Sequence, residues 1–86
     1  MRTISFHIDA FDQYNEWSRT NIKLFERIQR LIAETSRNPF TGIGKPEPLK
    51  GGLRGYWSRR INDEHRLVYK VTEEQLIIIS CNSHYK

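Results

Sequence analysis

The spacing of apolar residues predicts two helices in the first half of the chain. Between Ile22 and Thr35 consecutive apolar residues are never more than three positions apart, which is the spacing of a helix with one buried face. Asp9 can cap the earlier helix, residues 18–21 interrupt the pattern and offer a second cap, and Asn38–Pro39 ends the later helix. We expect the core to include the aromatic residues Phe11, Tyr14, Trp17, Phe25 and Phe40.

Alternating and β-branched stretches predict four strands. The links at residues 63–65 and 73–74 have hairpin length, so the last three strands should pair antiparallel. Residues 38–55 form a glycine- and proline-rich connection, and loops of such length are usually functional or disordered. The predicted order is β-α-α-β-β-β, an α+β fold with two helices packed on one face of a mainly antiparallel sheet. The predicted strands are Thr3–Ile8, Tyr56–Asn62, Arg66–Thr72 and Gln75–His84.

The alternation of side chains in the predicted strands separates an apolar face from a basic one. In a regular strand Arg66, Val68 and Lys70 share one face, whereas Leu67 and Tyr69 lie on the other. The helices should cover the more apolar face, so that arginine and histidine side chains line the open one. The same alternation places three further side chains on a common face, those of Ser80, Asn82 and His84.

The chain is short and basic, and it has one cysteine. Its 86 residues correspond to one domain, 1–86, with a formal net charge of +4. Residues 54–70 hold five basic and two acidic side chains, a local charge of +3, which favours a polyanionic partner. Cys81 alone cannot form an internal disulfide, which fits a reducing cytoplasm. The longest apolar run, residues 76–79, is too short for a membrane span.

Several polar side chains match the needs of metal-free RNA cleavage, which requires a base, an acid and cations around the charged transition state. Glu47, held between two prolines, is a candidate base, and His84 is a candidate acid because the ordinary pKa of histidine lies near neutrality. Arg59, Arg60 and Arg66 could bind phosphate bidentately from adjacent strands. The alternative is a solvated glutamate, with arginines that pair with neighbouring carboxylates.

Other site chemistries find little support in the chain. Its three histidines and one cysteine lack the spacing of a metal site, and Gly42–Pro46 lacks the spacing of a phosphate-binding loop. We therefore expect neither a metal nor another cofactor. Tyr85 could stack on a nucleic-acid base, whereas Trp57 is more typical of a core and His65 of a turn.

Two long motifs in a fixed order resemble one family. Asn38–Lys50 reads NPFTGIGKPEPLK and Gly55–Tyr69 reads GYWSRRINDEHRLVY, followed by Cys81 and the His84–Tyr85 pair. These segments resemble the YoeB (Txe/YoeB) toxins, within the RelE-like group of bacterial toxin–antitoxin systems. The resemblance implies a microbial-RNase-like fold and a ribosome-dependent mRNA endonuclease. It also implies a homodimer and a cognate antitoxin of the YefM or Axe kind, whose complex with the toxin binds operator DNA.

The resemblance also implies roles for individual residues. Glu47 corresponds to the family's general base, His84 to its general acid, and Arg66 to the arginine that stabilises the transition state. Lys50 and Arg60 correspond to phosphate-contacting positions, and Tyr85 to a C-terminal aromatic residue of the site. The chain departs from the family pattern at Ser83, where an aromatic residue can stand, and at Lys86, which follows the His-Tyr pair.

Two other functions fit the residues less well. One is a non-enzymatic toxin of the same fold, such as a ParE-like gyrase inhibitor, and the other is an RNA-binding module. Neither needs a set of acid, base and arginine like Glu47, His84 and Arg66. A pure RNA binder would depend on Arg59 or Arg60 and not on Glu47.

Overall fold

The computed structural model describes residues 2–83 as two helices packed on one sheet. The element order is the predicted one, with a short strand added in the long connection. Neither described helix has both the length and the apolar character that crossing a bilayer requires. The helices are α1 (Ile8–Thr20) and α2 (Ile22–Arg37). The strands are β1 (Thr3–Phe6), β2 (Glu47–Pro48), β3 (Trp57–Arg60), β4 (Arg66–Val71) and β5 (Gln75–Ser83), and a 3₁₀ turn spans Gly51–Leu53.

The five strands form a mixed sheet in the order β1-β5-β4-β3-β2. The β3-β4 and β4-β5 pairs are antiparallel, as predicted, and β1 joins β5 in parallel. β2 was not predicted: Glu47 pairs with Ser58 and Pro48 with Trp57, antiparallel. Two residues are too few to show an alternation, and Pro48 is tolerated because β2 lies at the sheet edge. The α+β class with two helices on a mainly antiparallel sheet is confirmed.

The start of α1 differs from the prediction. His7 and not Asp9 is the N-cap residue, since its Nδ1 accepts a hydrogen bond from the Asp9 N–H at 3.2 Å. Asp9 lies in the first turn, where a carboxylate interacts favourably with the helix dipole. The preceding strand therefore ends earlier than predicted, at Phe6. Asn21 caps α2 as the sequence indicated, because its Oδ1 accepts the Leu24 N–H at 3.2 Å.

Both helices cover the apolar face of the sheet. Ala10 of α1, with Ile28 and Leu31 of α2, is fully buried in one cluster with Leu67 and Tyr69 of β4. This burial confirms the predicted alternation in β4. Full burial of a large apolar side chain contributes about 1.5–3 kcal/mol, so this cluster supplies much of the driving force for folding.

Phe11 and Phe40 lie outside the core, contrary to the prediction. Their exposed fractions are 47% and 49%. Phe11 contacts Phe6 edge-on with ring centroids 6.2 Å apart, and Phe40 packs against Trp57 at 4.7 Å. Both rings therefore lie at the rim of the core. The other aromatic residues predicted for the core are partly buried, namely Tyr14, Trp17 and Phe25.

β5 departs from regular alternation near its C-terminal end. Tyr69 pairs with Ile78, Val68 with Ser80 and Arg66 with Ser83, so β5 has one residue more than β4 on each side of the Val68–Ser80 pair. The predicted common face of Ser80, Asn82 and His84 assumes regular alternation, which β5 interrupts before Ser83. A bulge has no marker in the apolar pattern, and His84 itself lies outside the described residues.

Candidate active site

The sheet face turned away from the helices carries Glu47, Arg60 and Arg66. Residues directly opposite each other in neighbouring strands share a face. Glu47 is opposite Ser58, and Arg60 is opposite Arg66. Ser58 and Arg60 are two residues apart on β3, so they share that face as well. Strand spacing and rise put the Cα atoms of Glu47 and Arg66 about 12 Å apart, a gap that an arginine side chain and a bound phosphate could span.

The hairpin 61–65, which joins β3 to β4, orients the guanidinium of Arg66. Nη1 of Arg66 donates to the carbonyl oxygen of Asn62 at 3.1 Å and more weakly to that of His65 at 3.5 Å. Asn62 also fixes the hairpin, because its Oδ1 accepts the N–H groups of Glu64 and His65 at 2.9 and 2.7 Å. Within residues 2–83 no carboxylate forms an ion pair with Arg66, so its charge is available to an anion.

Arg60 is held through its backbone. Its N–H donates to the Gly44 carbonyl at 2.6 Å, and its carbonyl accepts from Nη2 of Arg27 at 3.3 Å. Nε of Arg27 also donates to the Ile61 carbonyl at 3.0 Å, so α2 supports the end of β3. The half-buried side chain of Arg60 has no carboxylate partner in the described part of the chain. Sequence reasoning missed Arg27, which the helical pattern shows only as a polar residue.

Arg59 does not line this face, and its predicted role in substrate binding is wrong. It alternates with Ser58 and Arg60 and is fully buried on the helix side of the sheet. A cation this far from water is stable only with polar partners. Its guanidinium donates to the Tyr69 hydroxyl at 3.3 Å and to three backbone carbonyls, those of Ile43 at 3.0 Å, Thr41 at 2.8 Å and Asn38.

The buried guanidinium lies beneath loop 38–46, the segment that leads into Glu47. Tyr69, which accepts from Nε of Arg59, donates its hydroxyl proton to the Pro39 carbonyl at 2.7 Å. Burial raises the pKa of the Tyr69 hydroxyl, and the nearby Arg59 charge opposes this only in part. The hydroxyl therefore remains protonated and able to donate at neutral pH. Two side chains from adjacent strands thus bind the backbone of one loop.

The end of loop 38–46 has an unusual backbone. Gly44 and Lys45 have positive φ angles of 80° and 51°. Glycine adopts such angles freely, but a side chain there costs about 1–2 kcal/mol. A Cβ at Gly44 would lie 2.9 Å from Cδ2 of Leu31 and 3.1 Å from Cβ of Arg59, so packing requires glycine as well. The surrounding contacts therefore hold a strained backbone just before Glu47.

Lys50 is the other predicted substrate-binding residue in the described part of the chain. Glu47 and Lys50 are exposed, and Lys50 directly precedes the 3₁₀ turn. His84 and Tyr85 lie outside the described residues, so their predicted roles stay predictions. Ser83, the last residue of β5, pairs with Arg66, so the described part of the chain ends beside that arginine. Within residues 2–83 no three His, Cys, Asp or Glu side chains are grouped to hold a metal ion.

His65, predicted only as a turn residue, packs against α1. Its side chain is 17% exposed, and its ring lies edge-on to Trp17 with centroids 5.0 Å apart. Nε2 of His65 is 3.6 Å from a carboxylate oxygen of Glu64, and Nδ1 has no hydrogen-bond partner in the described part of the chain. Trp17 is fixed in turn by donating from Nε1 to the Cys81 carbonyl at 2.8 Å. The contact between His65 and Trp17 holds hairpin 61–65 against the helix layer.

A two-helix layer on a mixed sheet, with a carboxylate and arginines on the uncovered face, matches the microbial-RNase-like fold that the sequence predicts. The fold is shared with YafQ from Escherichia coli, at a TM-score of 0.81 over 98% of this chain and 94% of that one. The two sequences are 19% identical, so this likeness concerns the fold alone.

The chain belongs to the family of YoeB-like toxins of bacterial type II toxin–antitoxin systems, whose family model matches residues 6–85. Toxin YoeB of Streptomyces coelicolor is 54% identical over 82 residues, which cover 95% of this chain and 98% of that protein. The solved structure of a YoeB/ParE toxin from Agrobacterium tumefaciens has a TM-score of 0.93 at 46% identity, covering 96% and 99% of the two chains. A YoeB-YefM complex from Staphylococcus aureus has a TM-score of 0.89 at 45% identity, covering 99% of both chains. The predicted family is confirmed.

Proposed function

We propose that this toxin is a ribosome-dependent endoribonuclease, which cuts mRNA in the ribosomal A site and thereby inhibits translation. The observation that carries the proposal is the placement of Glu47, Arg60 and Arg66 on one uncovered sheet face by cross-strand pairing. Neither arginine forms an ion pair with a carboxylate of residues 2–83, so both charges can act on a phosphate. Membership of the YoeB-like toxin family supports the same function.

The proposed chemistry requires no metal. Glu47 removes the proton of a ribose 2′-OH, whose oxygen then attacks the adjacent phosphorus. The bond from phosphorus to the 5′-oxygen breaks, and His84 gives a proton to that oxygen. The products are a 2′,3′-cyclic phosphate and a free 5′-hydroxyl. Arg66 stabilises the extra negative charge of the transition state, and its bond to the Asn62 carbonyl orients it before substrate arrives.

Three further residues are proposed to bind the substrate. Lys50 and Arg60 contact neighbouring phosphates, and Tyr85 stacks on a base, which contributes about 1–3 kcal/mol. Arg59 is not among them, because it is fully buried and its donors are bound to backbone and hydroxyl oxygens. The substrate surface is thus formed by alternate residues of β3 and not by both neighbouring arginines.

We also propose two protein partners. The S. aureus relative was solved in complex with YefM, and another structure is a YoeB dimer, so we expect a YefM- or Axe-like antitoxin and a homodimer. Without the buried Arg59, residues 54–70 hold four basic and two acidic side chains, a charge of +2 that favours an acidic antitoxin segment over the basic face. In this proposal the toxin reaches operator DNA only through the antitoxin complex.

Substitution of the proposed base and acid tests this function. We expect Glu47→Gln and His84→Gln each to abolish growth arrest, because neither amide can exchange the required proton, while binding of the antitoxin survives. Growth curves after induction and co-purification with the antitoxin give the two results. Glu74→Gln is the matched control, since Glu74 is an exposed glutamate of the β4-β5 turn. Full toxicity of either variant would contradict the acid–base assignment and favour a gyrase inhibitor or an RNA-binding module.

A further inference from the structure

We infer that Arg59 is a positioning residue: from inside the core, its guanidinium fixes loop 38–46 so that Glu47 is held where the base must act. The inference rests on the catalytic role proposed for Glu47. The Arg59 side chain touches neither the substrate nor the reacting atoms, although the residue pattern predicts that it binds substrate.

Loop 38–46 depends on partners from elsewhere in the chain. It contains no helix or strand, so its backbone groups cannot satisfy one another in a regular pattern. Arg59 supplies donors for the carbonyls of Asn38, Thr41 and Ile43, which are 21, 18 and 16 residues away in sequence. The planar fork of a guanidinium suits several fixed acceptors at once. A single buried side chain thus holds the loop at three points between residues 38 and 43.

A rigid path connects the guanidinium to Glu47. Arg60, the next residue in β3, donates its N–H to the Gly44 carbonyl at 2.6 Å. Lys45 follows with a φ of 51°, and the Pro46 ring fixes the next backbone angle. Glu47 then pairs with Ser58. Few rotatable backbone bonds therefore lie between the buried anchor and the base, and the strained angle at Lys45 has no reason to persist once the loop is released.

A lysine at position 59 separates the shape of the side chain from its charge. Lysine can keep the positive charge by donating to one or two of the carbonyls, but its compact ammonium cannot reach all of those that the fork binds along the loop. Arg59→Lys should therefore leave the electrostatic attraction of RNA unchanged while it releases the loop. Arg54→Lys is the matched control, because Arg54 is exposed on the neighbouring connection.

The first test is a double-substitution cycle on the rate of mRNA cleavage by ribosome-bound toxin in single turnovers. We expect Arg59→Lys to lower the saturated rate roughly 100-fold, because a displacement of about 1 Å has that effect, while the half-saturating toxin concentration stays within about twofold. In the Glu47→Ala background, whose residual cleavage is followed over long times, Arg59→Lys should cost no further rate. Equal fractional losses in both backgrounds, or a loss confined to binding, would overturn the inference.

The second test does not depend on activity. Hydrogen exchange of the Arg60 amide reports whether loop 38–46 is docked, because that amide bonds to Gly44. We expect the Arg60 amide to exchange at least about tenfold faster in Arg59→Lys than in wild type, while the amides between β4 and β5 exchange at the wild-type rate. Should this variant fail to fold, Tyr69→Phe removes only the hydroxyl between Arg59 and Pro39 and should show a smaller increase. Unchanged Arg60 exchange in a folded variant would overturn the inference.

The two proposals can fail separately. Wild-type cleavage by Glu47→Ala would contradict the acid–base assignment, and with it the positioning of a base. The exchange rates would still show whether Arg59 holds loop 38–46. Conversely, loss of cleavage in Glu47→Ala, together with unchanged rate and exchange in Arg59→Lys, would leave the proposed function intact and remove the role inferred for Arg59.

Discussion

Loop 38–46 and hairpin 61–65 support the two charged residues at the centre of the proposed site, and they do so differently. The hairpin is fixed locally: the Asn62 side chain accepts from N–H groups two and three residues along the chain. The loop is fixed by Arg59, whose carbonyl partners lie 16 to 21 residues earlier. One support can therefore be seen in a short stretch of sequence, whereas the other exists only once the sheet has formed.

The two supports also differ in burial, and so in what their loss should cost. The Asn62 bonds lie near the surface, where water can replace a lost partner, so each contributes about 1 kcal/mol. The Arg59 bonds are shielded by the core, and each carbonyl left without a donor there costs about 1–3 kcal/mol. Release of the three loop carbonyls from Arg59 should therefore reduce stability more than perturbation of the hairpin.

The largest effect is expected from Gly44→Ala, which pushes the loop off its support. The alanine must adopt a positive φ, and its methyl group would lie 2.9 Å from Leu31 and 3.1 Å from Arg59. We therefore expect a loss of about 3 kcal/mol in the free energy of unfolding. Gly55→Ala is the control: its φ is 97°, but no atom lies within 4 Å of the new group, so we expect about 1 kcal/mol. Urea denaturation measures both, and equal losses would show that close packing beneath the loop is unimportant.

Asn62→Ala should weaken the hairpin by about 1–2 kcal/mol, because two backbone N–H groups lose their acceptor. Asn62→Asp keeps an acceptor oxygen and should stay close to wild type in stability. We further expect Asn62→Ala to slow cleavage through Arg66 and to leave exchange of the Arg60 amide unchanged, since loop 38–46 has its own support. Faster Arg60 exchange in Asn62→Ala would show that the two regions are not independent.

Tyr69→Phe gives the smallest effect and a pH dependence. Near neutral pH the loss of its hydroxyl should cost about 1 kcal/mol, because bonds to Arg59 and Pro39 disappear. Since burial raises the pKa of Tyr69 above its ordinary 10.0, the folded state keeps the proton that the unfolded chain loses, and the stabilisation by Tyr69 falls as pH rises beyond that value. The stability difference between wild type and Tyr69→Phe should therefore shrink above that pH.

Urea denaturation of wild type and of Tyr69→Phe across the alkaline range measures the difference between their free energies of unfolding. Burial also raises the pKa of Cys81, to about 12, which lowers stability as pH rises from its ordinary 9.0. Both proteins contain Cys81, so its contribution cancels in the comparison. A stability difference that grows with pH would mean that the Tyr69 hydroxyl is not buried against the loop.

Most of the fold follows from local pattern. The helical period, the hairpin-length links and the alternation that buries Leu67 and Tyr69 each depend on residues close in sequence. β2 could not be predicted, because two residues show no period, and the two extra residues of β5 around Ser80 leave no mark in composition. The exposure of Phe11 shows that an apolar stripe identifies the inward face of a helix but not how deeply each of its residues is buried.

The residue types of the proposed site follow from the sequence more readily than its geometry does. Glu47 and Arg66 follow from the reaction's needs and from family resemblance, and cross-strand pairing places both on one face. Arg59 was misassigned because it resembles Arg60 in every local respect. One signal was present: Trp57, expected in the core, shares a face with Arg59 by alternation. No sequence signal shows that the guanidinium would bind carbonyls of a distant loop.

Primer extension on a reporter mRNA in a purified translation system, with wild type and Glu47→Ala compared with and without ribosomes, tests the proposed function most directly. We expect cuts at the A-site codon with wild type only, and none when ribosomes are left out. Cuts of equal intensity with Glu47→Ala would contradict the role of the carboxylate. An absence of cuts, with translation unaffected by wild type, would contradict the endoribonuclease itself.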